Sequence, residues 1–380
     1  MTYIAHLADL HLGYRQYGLI EREEDIYETF DEAVDKIIEE HARIVIIAGD
    51  LFNSARPPIR SLYHVKSNLE KLKSRGINVF CILGDHDIPR RVGEYSPLTL
   101  FRGDLLHHID GKTVEIEIDG IRIKITGVDR APSTASDKVR KIIEKLSKDI
   151  QTKAGTERNI LVTHLPLHGI SGELCIDDLP ENYDYYALGH EHVRRVFRKG
   201  LGLASYPGSI DILSRDEIIG WKLEGKGFYL VDLSGSEPIV EKVDLKSIRP
   251  QEIFEISLGE PIDKLVDWIT HQSKKPILHL LIKDREFDLR RINEIAEKLR
   301  GIGCLDVRYR RKIFREDDQF KALPHIDHSR FNIIDLIKTS IMEIGLSEEE
   351  AELAINIYKE FRTGGGDALK ELLLRRSPEG

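Results

Sequence analysis

Short apolar runs that end in a polar residue recur along the first part of the chain. Each run is rich in Ile, Val or aromatic residues, so each predicts a short buried β-strand. These runs cover residues 3–9 (YIAHLAD), 43–50 (RIVIIAGD), 77–85 (INVFCILGD), 159–164 (NILVTH) and 183–190 (YDYYALGH). Between the first two runs, apolar residues recur at helical spacing, at Ile26, Phe30, Ala33, Val34 and Ile37. This alternation of strand and helix predicts an α/β fold.

A different periodicity marks residues 113–127 (TVEIEIDGIRIKITG). Apolar and polar residues alternate in period two on both sides of Asp119 and Gly120, which predicts a β-hairpin with its turn at that dipeptide. We therefore expect residues 1–245 to form one domain, in which two packed sheets are flanked by helices.

The segment SIRPQE (247–252) predicts a domain boundary. The pattern that follows predicts a small α/β domain over residues 250–316, with strand 254–258, helix 261–271, strand 276–283, helix 287–300 and strand 304–313. Residues 317–330 (DDQFKALPHIDHSR) are polar and aperiodic, which predicts a linker.

Two amphipathic helices are predicted in residues 331–380. Gly345 ends the first helix, and Ser347 with Glu350 forms a capping box at the start of the second. The apolar stripes consist of Ile333, Ile337, Ile341 and Ile344 in the first helix, and of Leu353, Ile357 and Phe361 in the second. Two helices of this length cannot shield such stripes from water, so we expect them to bind a partner surface.

Potential metal ligands stand at the ends of the predicted strands. Alternate residues of an extended segment point the same way, so each D-x-H or H-x-H pair presents two side chains on one side. Since α/β sheets bind ligands at the carboxyl ends of their strands, we expect one shared site of Asp9, His11, Asp50, Asp85, His164, His190 and His192. Taken singly, His164 could be a hydrogen-bonded core residue and each Gly-Asp pair a turn. Seven mixed oxygen and nitrogen ligands fit two ions, such as manganese.

Composition and charge restrict the possible class of protein and the kinds of site further. The chain has 380 residues, 41% of them hydrophobic, and its three cysteines are too scattered for a disulfide framework or a thiolate zinc site. No apolar run is long enough to span a membrane and no signal or transit peptide is evident, so we expect a cytoplasmic protein. The net charge of −9 argues against a nucleic-acid partner, but local basic runs follow the ligand motifs.

The order D-x-H, GD, a GNHD-like block, H and GHxH resembles the calcineurin-like metallophosphoesterases. The flanking segments ADLHLGYRQYG, AGDLFNSARP and LPENYDYYALGHEHVRR closely resemble archaeal double-strand-break repair nucleases of the Mre-eleven/SbcD type. This resemblance implies a two-sheet metallophosphoesterase sandwich, a capping domain and a homodimer. It also implies a nucleoid-associated exonuclease and endonuclease that acts on DNA ends, with C-terminal helices that grip the coiled coil of a Rad-fifty/SbcC type ABC ATPase.

The resemblance also implies residue roles. Two Mn²⁺ ions per subunit, or Mg²⁺, would be held by two ligand sets, Asp9, His11, Asp50 and His192 for one and Asp50, Asp85, His164 and His190 for the other. His86 would contact the phosphodiester as the catalytic acid. The family usually has Asn where Asp85 stands, and some relatives have a second histidine where Asn53 stands.

For Asp87 and for the basic residues, the sequence allows more than one role. We expect Asp87 to bond the backbone of the turn before Pro89 rather than to orient His86. Two basic runs follow ligand motifs and are expected to contact DNA phosphates, although a solvated face is the usual meaning of a charge run; they contain Arg90, Arg91, Arg194 and Arg195. For Arg308, Arg310 and Arg311, at the end of the second domain, a DNA contact and a solvated face are equal alternatives. The alternatives are a phosphomonoesterase or cyclic-nucleotide phosphodiesterase of the same fold, or a scaffold that does not catalyse.

Overall fold

The computed structural model describes residues 3–312, apart from 90, 92, 149, 151–156, 168–173 and 285–286. The predicted linker and the two C-terminal helices lie outside the described residues, and with them the predicted partner contacts Ile333, Ile337, Ile341, Ile344, Leu353, Ile357 and Phe361.

The described secondary structure alternates strands and helices as predicted. The strands are β1 (Tyr3–Leu7), β2 (Ile44–Ala48), β3 (Asn78–Ile82), β4 (His107–His108), β5 (Lys112–Ile118), β6 (Ile121–Val128), β7 (Glu157–His164), β8 (Tyr185–Gly189), β9 (Arg195–Lys199), β10 (Gly202–Tyr206), β11 (Gly227–Asp232), β12 (Ile239–Asp244), β13 (Gln251–Ile256), β14 (Ile277–Ile282) and β15 (Asp306–Arg311). The α-helices are α1 (Ile20–Glu39), α2 (Ile59–Ser74), α3 (Ser136–Ser147), α4 (Glu217–Glu224), α5 (Asp263–Thr270) and α6 (Leu289–Ile302). Short 3-10 helices cover Gln16–Gly18, Pro97–Leu100, Ser133–Ala135 and Ile176–Asp178.

Two six-stranded sheets form the larger part of the molecule. Their strand orders are β12-β11-β1-β2-β3-β4 and β5-β6-β7-β8-β10-β9. Strands β1, β2 and β3 are parallel in the first sheet, and β7 and β8 are parallel in the second. The α/β prediction with two packed sheets is thereby confirmed. The strands that carry the predicted ligands come from both sheets, three from one and two from the other.

The core between the two sheets is built from branched aliphatic side chains. Ile46 and Ile82 from the first sheet and Ile125 and Val162 from the second belong to one buried cluster. Complete burial of such side chains stabilises the fold by about 1.5–3 kcal/mol each. Helices cover the outer faces, since α1 and α2 pack on the first sheet and α3 packs on the second.

Helix α1 confirms the predicted stripe. Ile26, Phe30, Ala33, Val34 and Ile37 are each at most 2% exposed and belong to the cluster under the first sheet. The helix spans twenty residues because no Gly or Pro interrupts it and its apolar positions stay on one face.

The predicted hairpin is present as the antiparallel pair β5 and β6. Its turn residues Asp119 and Gly120 have φ of 50° and 79°. Two successive left-handed residues match the twist of a two-residue hairpin turn, and Asp and Gly tolerate that conformation best.

Residues 251–311 contain a three-stranded parallel sheet in the order β13-β14-β15. Helices α5 and α6 cover it, and the elements share a separate hydrophobic cluster. This unit is joined to the larger part by polar contacts: Arg249 donates to both carboxylate oxygens of Asp25 at 2.6 and 2.8 Å, and Gln251 donates to Gln16 at 2.9 Å. Such paired, satisfied groups fix a relative position rather than merely filling space.

The helices that the structure describes include no candidate for a membrane-spanning segment. None of them combines the length and the apolar character that a crossing would need.

Candidate metal centre

The seven predicted ligands lie together at or just beyond the carboxyl ends of β1, β2, β3, β7 and β8. Their nitrogen and oxygen atoms form overlapping groups within which all atoms lie within 4.8 Å of one another. The groups are Asp9, His11 and His192; Asp85, His164 and His190; Asp9, Asp50 and His164; and His11, Asp50 and His86. The shared site that the sequence predicted therefore lies at a seam between the two sheets.

Backbone strain is concentrated at this seam. Asp9, His11, Asp50 and His190 have φ of 53°, 47°, 52° and 99°, in the left-handed region that side chains other than glycine avoid. Each such residue costs about 1–3 kcal/mol, and the strain persists only where the surroundings impose it, which is common at functional sites. This conformation also explains why β1 and β2 end before their predicted bounds.

Asp50 occupies the centre of the cluster. A Cβ at Gly84 would lie 2.2 Å from Asp50 Oδ1, so glycine is needed there for the two loops to approach. The backbone N–H of His86 donates to the same oxygen at 2.8 Å. Asp50 Oδ2 lies 3.6 Å from His11 Nε2 and 3.4 Å from His164 Nε2. One carboxylate thus serves both ligand groups.

Two buried nitrogens indicate that the cluster suits a cation. Nε2 of His11 and Nε2 of His164 are buried without a hydrogen-bond partner among the described residues. His164 Nδ1 lies 2.8 Å from the carbonyl of Ala48 and donates to it, which leaves the lone pair on Nε2 facing the carboxylates. An unsatisfied buried acceptor costs about 1–3 kcal/mol, and a bound divalent cation would satisfy it. Mixed nitrogen and oxygen donors suit ions of hard to borderline character.

The buried carboxylates favour positive charge on the groups next to them. Burial raises the pKa of Asp9. Burial alone would also raise the pKa of Asp50, but His164 and His11 hold it well below its usual range. Burial alone would lower the pKa of His164, yet Asp50 and Asp9 raise it to about 10. A proton on His164 thus offsets the charge of its carboxylate neighbours, and metal cations can replace that proton.

His192 is oriented by a buried residue that the sequence did not reveal. Its Nδ1 donates to Glu217 Oε1 at 3.0 Å, which turns Nε2 toward Asp9 Oδ1, 3.8 Å away. Lys226 donates to the other oxygen of Glu217 and to the carbonyl of His192. Burial alone would raise the pKa of Glu217, but Lys226 and His192 outweigh it and hold the pKa well below its usual range. Carboxylates in this position commonly fix the tautomer of a metal-binding histidine.

His86 lies on the exposed side of the cluster. Its Nδ1 lies 2.9 Å from the carbonyl oxygen of Asn53, and its ring centroid lies 4.8 Å from that of His11. It also lines a cavity of about 230 Å³ together with Asn53, Asp85 and Arg91. His86 is therefore placed between the cluster and a space that a substrate can enter.

Asp87 binds backbone, as expected, but largely that of a neighbouring loop. Its carboxylate accepts hydrogen bonds from the N–H groups of Leu51, Phe52 and Gly84 at 3.2, 2.9 and 3.1 Å. It therefore ties the loop after β3 to the loop after β2, and so sets the position of Asp50.

Asp85 has two kinds of neighbour. Its Oδ2 lies 3.2 Å from His190 Nδ1 and 3.7 Å from His164 Nε2, on the side of the cluster. On the other side, Arg130 Nε donates to both carboxylate oxygens at 3.0 and 3.1 Å. Partial burial alone would raise the pKa of Asp85, but His190 and Arg130 lower it.

The predicted DNA contacts near the site divide into three cases. The expectation that Arg194 contacts DNA is wrong. Its side chain is fully buried and donates to the carbonyls of Glu224 and Val243, so it cannot reach DNA without losing these partners. Arg195 and Arg91 are exposed. Arg90 lies outside the described residues.

The candidate contacts on β15 are exposed, and Arg308 also has a structural partner. Arg308 places its guanidinium 4.7 Å from the ring centroid of Tyr17, in the larger part of the molecule. Arg308, Arg310 and Arg311 all lie on the surface.

Glu217 and Arg130 are the two site residues that sequence patterns missed. Each meets its partner across a long stretch of chain, 25 residues from His192 to Glu217 and 45 residues from Asp85 to Arg130. Neither stands in one of the quoted motifs, and although Arg130 lies two residues past the end of β6, that strand was predicted only as half of a hairpin. A buried carboxylate on an otherwise apolar helix start, in DEIIGW, was the one available hint for Glu217.

Comparisons with known proteins agree with this geometry. Residues 2–194, just over half of the chain, match the family model described as calcineurin-like phosphoesterase. The DNA double-strand break repair protein Mre11 of Methanocaldococcus jannaschii is 33% identical over 363 residues, which cover 93% of each chain. The Mre11 proteins of Sulfurisphaera tokodaii and Sulfolobus acidocaldarius are 34% and 31% identical; the alignments cover 98% and 94% of this chain and 96% and 94% of those proteins.

These matches confirm the resemblance drawn from the motifs. They extend beyond the ligand-bearing half into the segment with β13 to β15. The chain belongs to the calcineurin-like phosphoesterase family and, within it, to the DNA double-strand break repair proteins of the Mre11 group.

Proposed function

We propose that the protein is a manganese-dependent DNA nuclease, with exonuclease and endonuclease activity, that processes the ends of double-strand breaks. The observation that carries this proposal is the position of Asp50, whose Oδ2 lies 3.6 Å from His11 Nε2 on one side of the cluster and 3.4 Å from His164 Nε2 on the other. Two adjacent divalent ions suit hydrolysis of a phosphodiester by in-line displacement. Membership of a phosphoesterase family supports the reaction class, and the names of the Mre11 relatives support DNA ends as the substrate.

The chain supplies the holders of both ions. The proposed sets are Asp9, His11, Asp50 and His192 for one ion, and Asp50, Asp85, His164 and His190 for the other. When bound, the ions supply Lewis-acid stabilisation of the phosphate charge and lower the pKa of an attacking water. Neighbouring residues orient the ligand atoms. Gly84 and Asp87 fix the loop that holds Asp50, and Glu217 keeps Nε2 of His192 facing the cluster.

His86 is proposed as the proton donor. Because its Nδ1–H donates to the carbonyl of Asn53, Nε2 is the atom left for the substrate. In the protonated ring both nitrogens carry a proton, so Nε2 can donate to the departing sugar oxygen while the carbonyl stabilises the imidazolium. Arg91, on the same cavity wall, is placed to contact a phosphate.

Manganese is the proposed metal, with magnesium as the alternative. The two sets combine histidine nitrogens with carboxylate oxygens, and imidazole suits transition metals better than it suits Mg²⁺. Calorimetric titration of the metal-free protein should show two Mn²⁺ sites of higher affinity than those for Mg²⁺.

The partner assignments follow from the family and from predicted segments. Residues 1–245 would be the nuclease domain of a homodimer, residues 250–316 a capping domain that contacts DNA, and residues 331–380 the helices that bind the coiled coil of an ABC-type ATPase after the linker 317–330. Support comes from the relatives' full-length similarity and from the two predicted apolar stripes. Action on chromosomal DNA would place the protein in the cytoplasm, at the nucleoid.

The decisive assay compares linear duplex DNA with p-nitrophenyl phosphate and a cyclic nucleotide, each with Mn²⁺ and with a chelator. We expect metal-dependent cleavage of DNA by the wild type, none by Asp50→Asn, and wild-type rates for Arg140→Gln, whose ion-pair partners Asp137 and Asp178 are not among the candidate ligands. Faster hydrolysis of the small esters with intact DNA would favour the phosphatase alternative. A protein that binds Mn²⁺ and hydrolyses none of these substrates would be a scaffold.

A further inference from the structure

The contact between Arg130 and Asp85 differs from an ordinary surface ion pair. The side chain of Arg130 is only 9% exposed, while that of Asp85 is 39% exposed. Both carboxylate oxygens accept from the same guanidinium nitrogen, so the two groups have one defined geometry. Exposed pairs of long, mobile side chains contribute little because holding them costs entropy, and this pair largely avoids that cost on the arginine side.

The backbone around Arg130 is tied to the strand end that carries Asp85. The N–H of Arg130 donates to the carbonyl of Leu83 at 2.9 Å, and the N–H of Leu83 donates to the carboxylate of Asp129 at 2.8 Å. His108 lies 2.9 Å from both oxygens of Asp129 and holds that carboxylate in turn. The backbone that carries the Arg130 side chain is thus tied by hydrogen bonds to the segment directly before Gly84 and Asp85.

Asp85 consequently lies between a fixed cation and the proposed metal position. Arg130 approaches the carboxylate from one side, and His190 and His164 approach Oδ2 from the other. An ionised carboxylate has lone pairs enough for the shared hydrogen bond from Arg130 Nε and a metal bond at once. The same group can therefore serve as a ligand and as the partner of Arg130.

The formal charges show what Arg130 changes. The resemblance leads one to expect a neutral asparagine at this position, so Asp85 adds one negative charge to a site that must attract a phosphate. Arg130 adds one positive charge in direct contact with it. The pair as a whole carries no net charge, like the amide that it replaces.

We propose that Arg130 is a positioning residue for the metal ligand Asp85, and that the pair acts as a neutral substitute for an asparagine ligand. This inference rests on the proposed function, because it takes Asp85 to be a ligand. Arg130 holds the carboxylate in register with His190 and cancels its charge toward the DNA. The site therefore gains a stronger oxygen donor without gaining repulsion for the scissile phosphate.

The test uses four proteins whose pair differs in charge. Arg130→Gln leaves −1, the wild type and the double variant Asp85→Asn with Arg130→Gln leave zero, and Asp85→Asn leaves +1. Mn²⁺ affinity is measured by calorimetry on the metal-free proteins, and kcat and KM on linear DNA. Removing a partner of a metal ligand changes affinity or activity about 10-fold to 100-fold, so shifts of about 10-fold are expected.

The expected results follow charge. Arg130→Gln raises the KM for DNA about 10-fold, because the site becomes more negative. Its Mn²⁺ affinity stays near that of the wild type, because the added negative charge at the ligand offsets the loss of its positioning contact. Asp85→Asn weakens Mn²⁺ binding about 10-fold, yet it turns over as fast as the wild type once saturated. The double variant, whose pair is again neutral, returns the KM for DNA to within about 3-fold of the wild type, while its Mn²⁺ affinity stays below that of the wild type because the amide is the weaker donor. Arg130→Lys, which keeps the charge, stays close to the wild type, and Arg140→Gln is the control for loss of an arginine elsewhere.

Three outcomes would overturn the inference. If Arg130→Gln matched the wild type, Asp85 would not need compensation. If the double variant were as impaired as Arg130→Gln, or Arg130→Lys were equally impaired, Arg130 would act independently of the charge of Asp85. A wild type that binds no Mn²⁺ and cuts no DNA would instead refute the proposed function, so the two failures are distinguishable.

Discussion

Replacing Glu217 should reveal two separate roles of one buried carboxylate. Its Oε1 accepts from His192, and its Oε2 accepts from Lys226 and Ser209. The side chains of Glu217 and Lys226 are only 5% and 2% exposed. The substitution Glu217→Gln keeps the size of the side chain but removes its charge, so Lys226 is left with no carboxylate partner in this contact.

The cost to stability can be worked from that contact. Removing one member of a buried ion pair typically costs about 3–5 kcal/mol, because the remaining charge stays buried. Burial already lowers the pKa of Lys226, so partial loss of its proton relieves some of the cost, and we expect about 3 kcal/mol. Adding Lys226→Met removes the orphaned charge and should restore most of the lost stability, since apolar replacements of buried pairs are often neutral.

The effect on metal binding should follow a different pattern. His192 loses the carboxylate that fixes its tautomer in both the single and the double variant. Loss of such a partner lowers metal affinity about 10-fold to 100-fold, or about 1.4–2.8 kcal/mol. Because the amide oxygen introduced by Glu217→Gln can still accept one hydrogen bond, we expect the lower end of this range.

Urea denaturation of the metal-free proteins and calorimetry with Mn²⁺ measure the two quantities independently. Glu237→Gln is the control, since it breaks an exposed pair with Arg198 and should change stability by less than about 1 kcal/mol. If the double variant regained Mn²⁺ affinity together with stability, Glu217 would serve only as the counter-ion of Lys226, and its proposed role toward His192 would be refuted.

Four further outcomes are expected. His86→Ala should lower DNA cleavage about 100-fold or more while calorimetry still shows both Mn²⁺ sites; loss of an ion would make His86 a ligand. Leu353→Glu with Ile357→Glu should abolish co-purification with the coiled-coil ATPase and leave nuclease activity unchanged, and retained co-purification would place the contact elsewhere. Asp87→Asn should lower the free energy of unfolding by about 1–3 kcal/mol in urea denaturation, because an amide cannot accept from all three N–H groups, and no change would mean that this network adds nothing. Burial lowers the pKa of His6 to about 3, so the unfolded chain binds its proton first as the pH falls below about 6.5. Between pH 7 and pH 4.5, His6→Gln should therefore lose about 2–3 kcal/mol less stability than the wild type, and equal losses in urea denaturation would contradict this.

Much of the cluster of candidate ligands could be predicted because its residues are marked by local sequence patterns. A run of Ile and Val indicates a buried strand, and the polar residue that ends the run must lie where the strand meets solvent or a ligand. Asp9, Asp50 and His164 were placed in this way. Parallel strands then bring their carboxyl ends together, so a linear pattern became a spatial prediction.

The exact strand ends and the orienting residues could not be predicted in the same way. Periodicity does not reveal that Asp9 and Asp50 adopt left-handed backbone, since that conformation is imposed by contacts such as the one between Gly84 and Asp50. Glu217 and Arg130 meet their partners only after distant loops have been brought together. Patterns show which positions are buried, but they do not show which buried polar groups will pair.

The basic runs illustrate a further limit, because charge along a chain is not charge on a surface. Successive residues of an extended segment point to opposite sides, so Arg194 and Arg195 cannot both face one ligand, and Arg194 turns into the interior. On β15, Arg308 and Arg310 share one face for the same reason. Arg308 also lies over Tyr17, so it helps to hold the smaller unit against the larger one. Because the chain has a net charge of −9, attraction for DNA depends on local groups of exposed basic residues and on bound divalent ions, and the neutral pair that we propose at Asp85 avoids adding repulsion to that balance.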